Sequence, residues 1–179
     1  MQCHEEEIGK TLPTDAYGLL KYTVGQMIEQ SENIHNFRLF GIYGKYEDYP
    51  TKFISNVCCK AIKNVGLSIR QNVYFDYLWV EDFCRMIELF LEKKPQYHTY
   101  NMVSGTRISL REICDMVRKI SGRDLPVYVC REGTANEYTA SNERFRKECP
   151  DFVYTAPEVA IERLYRWYEQ NEEQIDLYR

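Results

Sequence analysis

The sequence predicts an α/β fold with at least some parallel strand pairing, and three observations carry that prediction. Strand-like and helical segments alternate through the first two-thirds of the chain, the pattern of helices laid on a parallel sheet. The helical segments hold apolar residues at three- and four-residue spacing and start or stop at recognisable capping residues. The 179 residues are a single-domain length, enough for one sizeable core, and no internal repeat or low-complexity linker divides them.

The elements follow in order. Thr14 or Asp15, after Pro13, can cap a helix running to about Ser31, with Tyr17, Leu20, Lys21, Val24, Met27 and Ile28 recurring at helical spacing. "NFRLFGIYG" (36–44) reads as a buried strand ending in a glycine turn, and 49–65 as a helix with Phe53, Ile54, Val57 and Ala61 on one face. Segments 67–70 and 73–80 are short strands. The next helix, 80–93, is predicted to bury Val80, Phe83, Cys84, Ile87, Phe90 and Leu91. A strand at 98–103 and a turn at Ser104-Gly105 lead to a helix opened by the Ser109–Glu112 capping box and closed by Gly122. A strand at 126–130, a short helix at 141–148 and a last helix opened by a Thr155–Glu158 box complete the chain.

Composition excludes several classes. With 44% hydrophobic and 28% charged residues and a formal net charge of −4, nothing electrostatic calls for a nucleic-acid or membrane partner. Charges break every apolar run, so no transmembrane helix is predicted, and the acidic start "MQCHEEEIGK" has no secretory apolar core. The seven cysteines show no C-x-x-C spacing and predict reduced thiols in a cytoplasmic protein. Of the adjacent pair Cys58-Cys59, one is expected in the core and one at the surface. His4 beside Glu5–Glu7 does not have the H-E-x-x-H spacing of a metal site. The aromatic run 164–170 is expected to pack rather than bind.

The chemistry concentrates in "DAYGLLKY" (15–22), where Tyr17 and Lys21 lie one helical turn apart. A phenol is a poor base near neutrality, but a lysine ammonium on the same helix face stabilises the phenolate. A phenol so tuned can exchange a proton with an alcohol while hydride moves to or from a nicotinamide. The spacing alone is equally compatible with two neighbours on a helix face.

Five motifs in register say more: "PTDAYGLLKY", "RLFGIYG", "YFDYLWVEDF", "YNMVSGTRISLREI" and "EYTASNERFRKE". Together they resemble the extended short-chain dehydrogenase/reductases, the NAD-dependent sugar epimerase/dehydratase group. The resemblance implies a partial Rossmann-type sheet followed by a C-terminal substrate-binding α/β region, divided as 1–45 and 46–179. It implies Tyr17 as acid/base, Lys21 as its partner and nicotinamide-ribose contact, and Phe40 near the nicotinamide. The substrate cleft would be formed around 41–53, 69–76 and 137–144, with Gly41, Phe53, Arg70 and Phe75 as substrate-facing positions.

Departures from the family pattern are equally specific. Gly41 stands where the family has a substrate-contacting Asn, and Phe75 where it has an Arg that grips a nucleotide-sugar diphosphate. Arg70 either replaces that Arg or is simply solvated, and Asp82, aligned with a family aspartate, is expected to charge the first turn of its helix. No G-x-x-G-x-x-G turn occurs, and only 16 residues precede Tyr17. The resemblance is therefore to the C-terminal half of such an enzyme. NAD or NADP belongs to the complete enzyme and is expected to be absent from this chain alone. The partners expected are a sugar or nucleotide-sugar substrate, and either a second copy of the chain or a polypeptide carrying the N-terminal half.

Overall fold

The computed structural model describes residues 3–7 and 9–177. Its elements are α1 (Ala16–Glu29), β1 (Asn36–Leu39), β2 (Ile42–Tyr43), α2 (Phe53–Ile62), β3 (Leu67–Asn72), β4 (Tyr74–Phe75) and β5 (Leu78–Trp79). There follow α3 (Val80–Glu92), β6 (Thr99–Met102), β7 (Ile108–Ser109), α4 (Leu110–Ser121), β8 (Val127–Thr134), α5 (Glu143–Glu148) and α6 (Pro157–Gln170). The strands form four two-stranded ladders. Three are parallel, β1 with β6, β2 with β5 and β3 with β8, and β4 with β7 is antiparallel. The predicted α/β class with parallel pairing is what the chain adopts.

Two apolar clusters hold these pieces together, and β5 feeds both. Successive strand residues point to opposite faces, so Leu78 enters a cluster with Met86, Phe90, Tyr100, Met102 and Phe145. Trp79 enters the other, with Tyr43 and the inner faces of α2, α4 and α6. Burying each large side chain contributes about 1.5–3 kcal/mol. Strand β6 is buried at all four residues because both its faces are covered. Tyr100 and Met102 face the apolar cluster, while Thr99 donates to Glu29 and Asn101 Nδ2 to the carbonyls of Cys3 (3.3 Å) and Ser141 (3.0 Å).

Several local expectations change under tertiary packing. Both Cys58 and Cys59 are fully buried, because α2 is wedged among α4, α6 and β3. Burial pushes the Cys59 thiol up to about 12, so neither suits redox chemistry. In α3 the buried face is Asp82, Met86 and Phe90, about one residue away from the predicted stripe; Cys84 is exposed and Leu91 is 81% exposed. The cause is Asp82. Its carboxylate is buried and accepts from the Thr155 N–H (2.8 Å), the Thr155 hydroxyl (2.7 Å) and Arg85 (2.6 Å), so it ties α3 to the approach of α6 rather than charging a solvated first turn. Thr155 is thereby taken from the predicted capping box, and α6 is capped at Ala156 and starts at Pro157. The Ser109–Glu112 box and the left-handed Gly122 stop (φ 66°) form as predicted around α4.

Candidate functional site

Helix α1 is started by Asp15, whose side chain accepts from the Gly18 N–H at 2.8 Å. Tyr17 and Lys21 then fall on one face, with Lys21 Nζ 5.5 Å from the Tyr17 ring centroid. None of the helix's residues is buried. Tyr17 is 71% exposed, and Leu20 (60%), Val24 and Met27 (68%) continue the same stripe into solvent. The pair is therefore exposed to solvent, on a face that also carries apolar residues.

A second region gathers three of the residues singled out in the sequence. Phe40, Gly41 and Phe53 line a pocket of about 370 Å³ at the end of β1 and the start of α2, together with Leu39, Ile42, Tyr43, Glu47, Thr51, Lys52, Ile54 and Tyr77. Its walls are aromatic and aliphatic, and its charged residues, Glu47 and Lys52, lie on the β2–α2 loop. Glu47 is anchored there by the Ser55 hydroxyl and the Gly44 N–H, and burial raises its carboxyl above the usual range. Tyr77 is pushed up by burial and then by Glu47, so its phenol stays neutral.

Phe75 adjoins this pocket without lining it. Its ring packs on Tyr77 (5.1 Å between centroids) and Tyr138 (6.0 Å), and Tyr138 in turn packs on Phe40 (5.1 Å). Arg38 sits over the outer side of Phe40 at 5.5 Å. Tyr17 and Lys21 on α1, and Arg70 on β3, are not among the lining residues. Arg70 is exposed. Glu47 and Lys52 fall within the 41–53 segment expected at the cleft without being singled out there, and Tyr77 lies just outside the expected segments. The period-two spacing of Phe75 and Tyr77 is the signal that could have drawn Tyr77 in with its neighbour.

Comparison with known proteins gives this arrangement a context. The profile of the NAD dependent epimerase/dehydratase family matches residues 2–102. Curated protein sequences return no match. Among solved structures, a dTDP-glucose 4,6-dehydratase from Bacillus anthracis in complex with NAD superposes with a TM-score of 0.74 at 21% identity, over 90% of this chain and 54% of that one. A GDP-L-fucose synthetase from Naegleria fowleri bound to NADP gives 0.75 at 16%, over 95% and 60%. A UDP-glucose 4-epimerase from Thermotoga maritima with UDP-glucose gives 0.73 at 18%, over 89% and 55%. The fold is shared, and the chain spans between 54% and 60% of the length of these structures.

Proposed function

The chain belongs to the NAD dependent epimerase/dehydratase family, and we propose that it carries the proton-transfer and substrate-binding parts of an NAD(P)-dependent enzyme acting on a sugar or nucleotide sugar. The observation that carries this reading is the Tyr17–Lys21 pair, one turn apart on an open helix face with the ammonium 5.5 Å from the phenol ring. Tyr17 takes a proton from a sugar hydroxyl, or returns it to a carbonyl, and the Lys21 ammonium stabilises the phenolate in between. Phenol and ammonium donors on one accessible face fit the nicotinamide end of the cofactor, with Lys21 toward the ribose and Phe40 beside the ring. When bound, the nicotinamide supplies the hydride acceptor or donor. The substrate lies against the Phe40–Gly41–Phe53 pocket, with Phe75 behind it and Arg70 available as an outlying cation. Free thiols at all seven cysteines support a cytoplasmic location, and no helix among the described residues is long and apolar enough to cross a membrane.

A second observation bears on assembly. The Leu20, Val24 and Met27 stripe is exposed, and among the described residues β1 pairs only with β6; an exposed apolar stripe and an unpaired strand edge invite association. We infer that the chain works in an assembly, with itself or with a partner carrying the cofactor-binding half, and is catalytically silent alone. The test is titration of the isolated chain with NADH and NADPH by calorimetry, followed by turnover assays on UDP-glucose of wild type and Tyr17→Phe in the assembled form. Tyr17→Phe is expected to lower turnover at least about 100-fold. Unchanged turnover refutes Tyr17 as the acid/base, and micromolar nicotinamide binding by the isolated chain refutes the silent-alone reading.

A further inference from the structure

The pocket beside β1 contains an arrangement that the Tyr–Lys chemistry does not use. A Cβ built on Gly41 would lie 2.9 Å from Tyr77 Cδ1, 3.2 Å from Tyr77 Cε1 and 3.2 Å from the Asp76 carbonyl oxygen. A side chain at position 41 and the Tyr77 ring therefore compete for one volume, and in this chain the ring has it. That ring is held from two sides, by Phe75 at 5.1 Å and, edge-on, by Tyr43 at 6.1 Å.

The tip of Tyr77 is not tied to the protein. Some phenols are spent internally, since Tyr100 donates to Glu148, Tyr49 donates to the Asp176 carbonyl at 3.0 Å and Tyr154 accepts from Asn142 at 3.2 Å, while the buried Tyr168 Oη has no partner among the described residues. Tyr77 Oη meets no hydrogen-bond partner among the described residues, and it is not one of the polar atoms sealed from solvent. Tyr77 is one of the residues that line the pocket, with Glu47, Lys52, Phe40 and Phe53. A rigid ring carrying an unspent hydroxyl, in a pocket with aromatic walls, suits a ligand that is itself a ring bearing hydroxyls.

We propose that Tyr77 is the specificity-determining residue of this pocket, hydrogen-bonding a hydroxyl of the substrate's sugar ring from the space that Gly41 leaves open. This rests on the reading of the chain as a nucleotide-sugar enzyme. The neutral phenol serves as either donor or acceptor to that hydroxyl. Glycine at position 41 has a steric purpose, since any larger residue displaces the ring that makes the contact. The pocket thus reads the sugar part of its substrate rather than the nucleotide.

The experiment is calorimetric titration of the full chain with UDP-glucose and with UDP, for wild type, Tyr77→Phe, Gly41→Ala, Tyr77→Leu and the double variant Gly41→Ala/Tyr77→Leu. Circular dichroism checks that each is folded, and Tyr77→Phe keeps the ring packing. Tyr77→Phe is expected to lower affinity for UDP-glucose about five- to tenfold, the loss of one hydrogen bond, and to leave UDP binding unchanged. Gly41→Ala is expected to weaken UDP-glucose binding in the wild-type background and to have no further effect on top of Tyr77→Leu. Equal UDP-glucose affinity in wild type and Tyr77→Phe, equal weakening of UDP, no UDP-glucose binding by the wild type, or fully additive Gly41 and Tyr77 effects each overturn the proposal. A chain that binds UDP-glucose through Tyr77 while its turnover ignores Tyr17→Phe leaves this inference standing and removes the proposed proton-transfer role instead.

Discussion

Asp76→Asn is the perturbation that most directly joins the fold to the pocket. Asp76 is buried between Phe75 and Tyr77, and its carboxylate organises the turn after β6. One oxygen accepts from the Ser104 N–H (2.8 Å) and the Ser104 hydroxyl (2.7 Å), and the other accepts from the Gly105 N–H (2.9 Å). Asparagine keeps the first oxygen and places an amide NH2 against the Gly105 N–H, donor against donor. Gly105 is exposed, so water can reach its orphaned N–H and the cost stays near the low end, about 1 kcal/mol. The two bonds that remain lose their charge assistance, which removes about another 1 kcal/mol. The expected destabilisation is therefore about 2 kcal/mol. With a urea slope of about 2 kcal/mol per molar, the unfolding midpoint falls by about 1 M. The same variant is expected to weaken UDP-glucose binding, because Tyr77 is the next residue along the chain. Urea melts of wild type, Asp76→Asn, Ser104→Ala and the double variant form the assay. A midpoint within about 0.2 M of wild type, or strict additivity with Ser104→Ala, refutes the reasoning.

Other expectations test separate parts of the molecule. Arg123 Nη1 donates to the carbonyls of Ala61 (2.8 Å) and Ile62 (2.7 Å) at the end of α2, so Arg123→Met is expected to lower stability by about 1–2 kcal/mol in thermal or urea unfolding. The Glu112 carboxyl is held below its ordinary range by its hydrogen bonds with Ser109. Its contribution is thus fully present above the unfolded value, about pH 4.3, and is lost as pH falls through the lower folded value. Ser109→Ala is expected to flatten that acid limb in pH-dependent melts and to cost about 1 kcal/mol at neutral pH. Leu20→Glu/Met27→Glu, which breaks the apolar stripe of α1, is expected to reduce the sedimentation-velocity weight-average mass toward that of a monomer. A wild type already monomeric at high concentration would count against the assembly.

What could be read from the sequence was mostly what local chemistry decides. Ser109, Glu112 and Gly122 fix the ends of α4 within a few residues of themselves, so the box and the left-handed stop were legible in advance. The face of α3 was not, because the residue that selects it is polar. Periodicity counted Cys84 and Leu91 as core, whereas Asp82 turns inward to meet Thr155, 73 residues further along. The same long-range bond dissolved the predicted Thr155–Glu158 box. At the candidate site, Phe40, Gly41 and Phe53 converge as one pocket, but the steric competition between position 41 and the Tyr77 ring is a distance that no sequence pattern encodes.

The exposure of α1 has a consequence for chemistry as well as for assembly. An ammonium and a phenol that both face bulk water interact through a medium that screens their attraction, whereas the same pair beneath a covering surface interacts several-fold more strongly. Tyr17 and Lys21, the proposed acid/base pair, share one exposed helix face with the ammonium 5.5 Å from the phenol ring centroid. The apolar residues that continue their stripe, Leu20, Val24 and Met27, are what a covering surface would grip. In the proposed assembly one contact would serve two ends, burying the stripe and drying the pair. A salt titration separates the two states. Turnover by the isolated chain, if any is detected, should fall as ionic strength screens the open pair, while turnover in the assembly should be nearly insensitive to salt at fixed complex concentration. Equal salt sensitivity in both preparations would show that covering α1 does nothing for the proton transfer, and that its apolar stripe serves association alone.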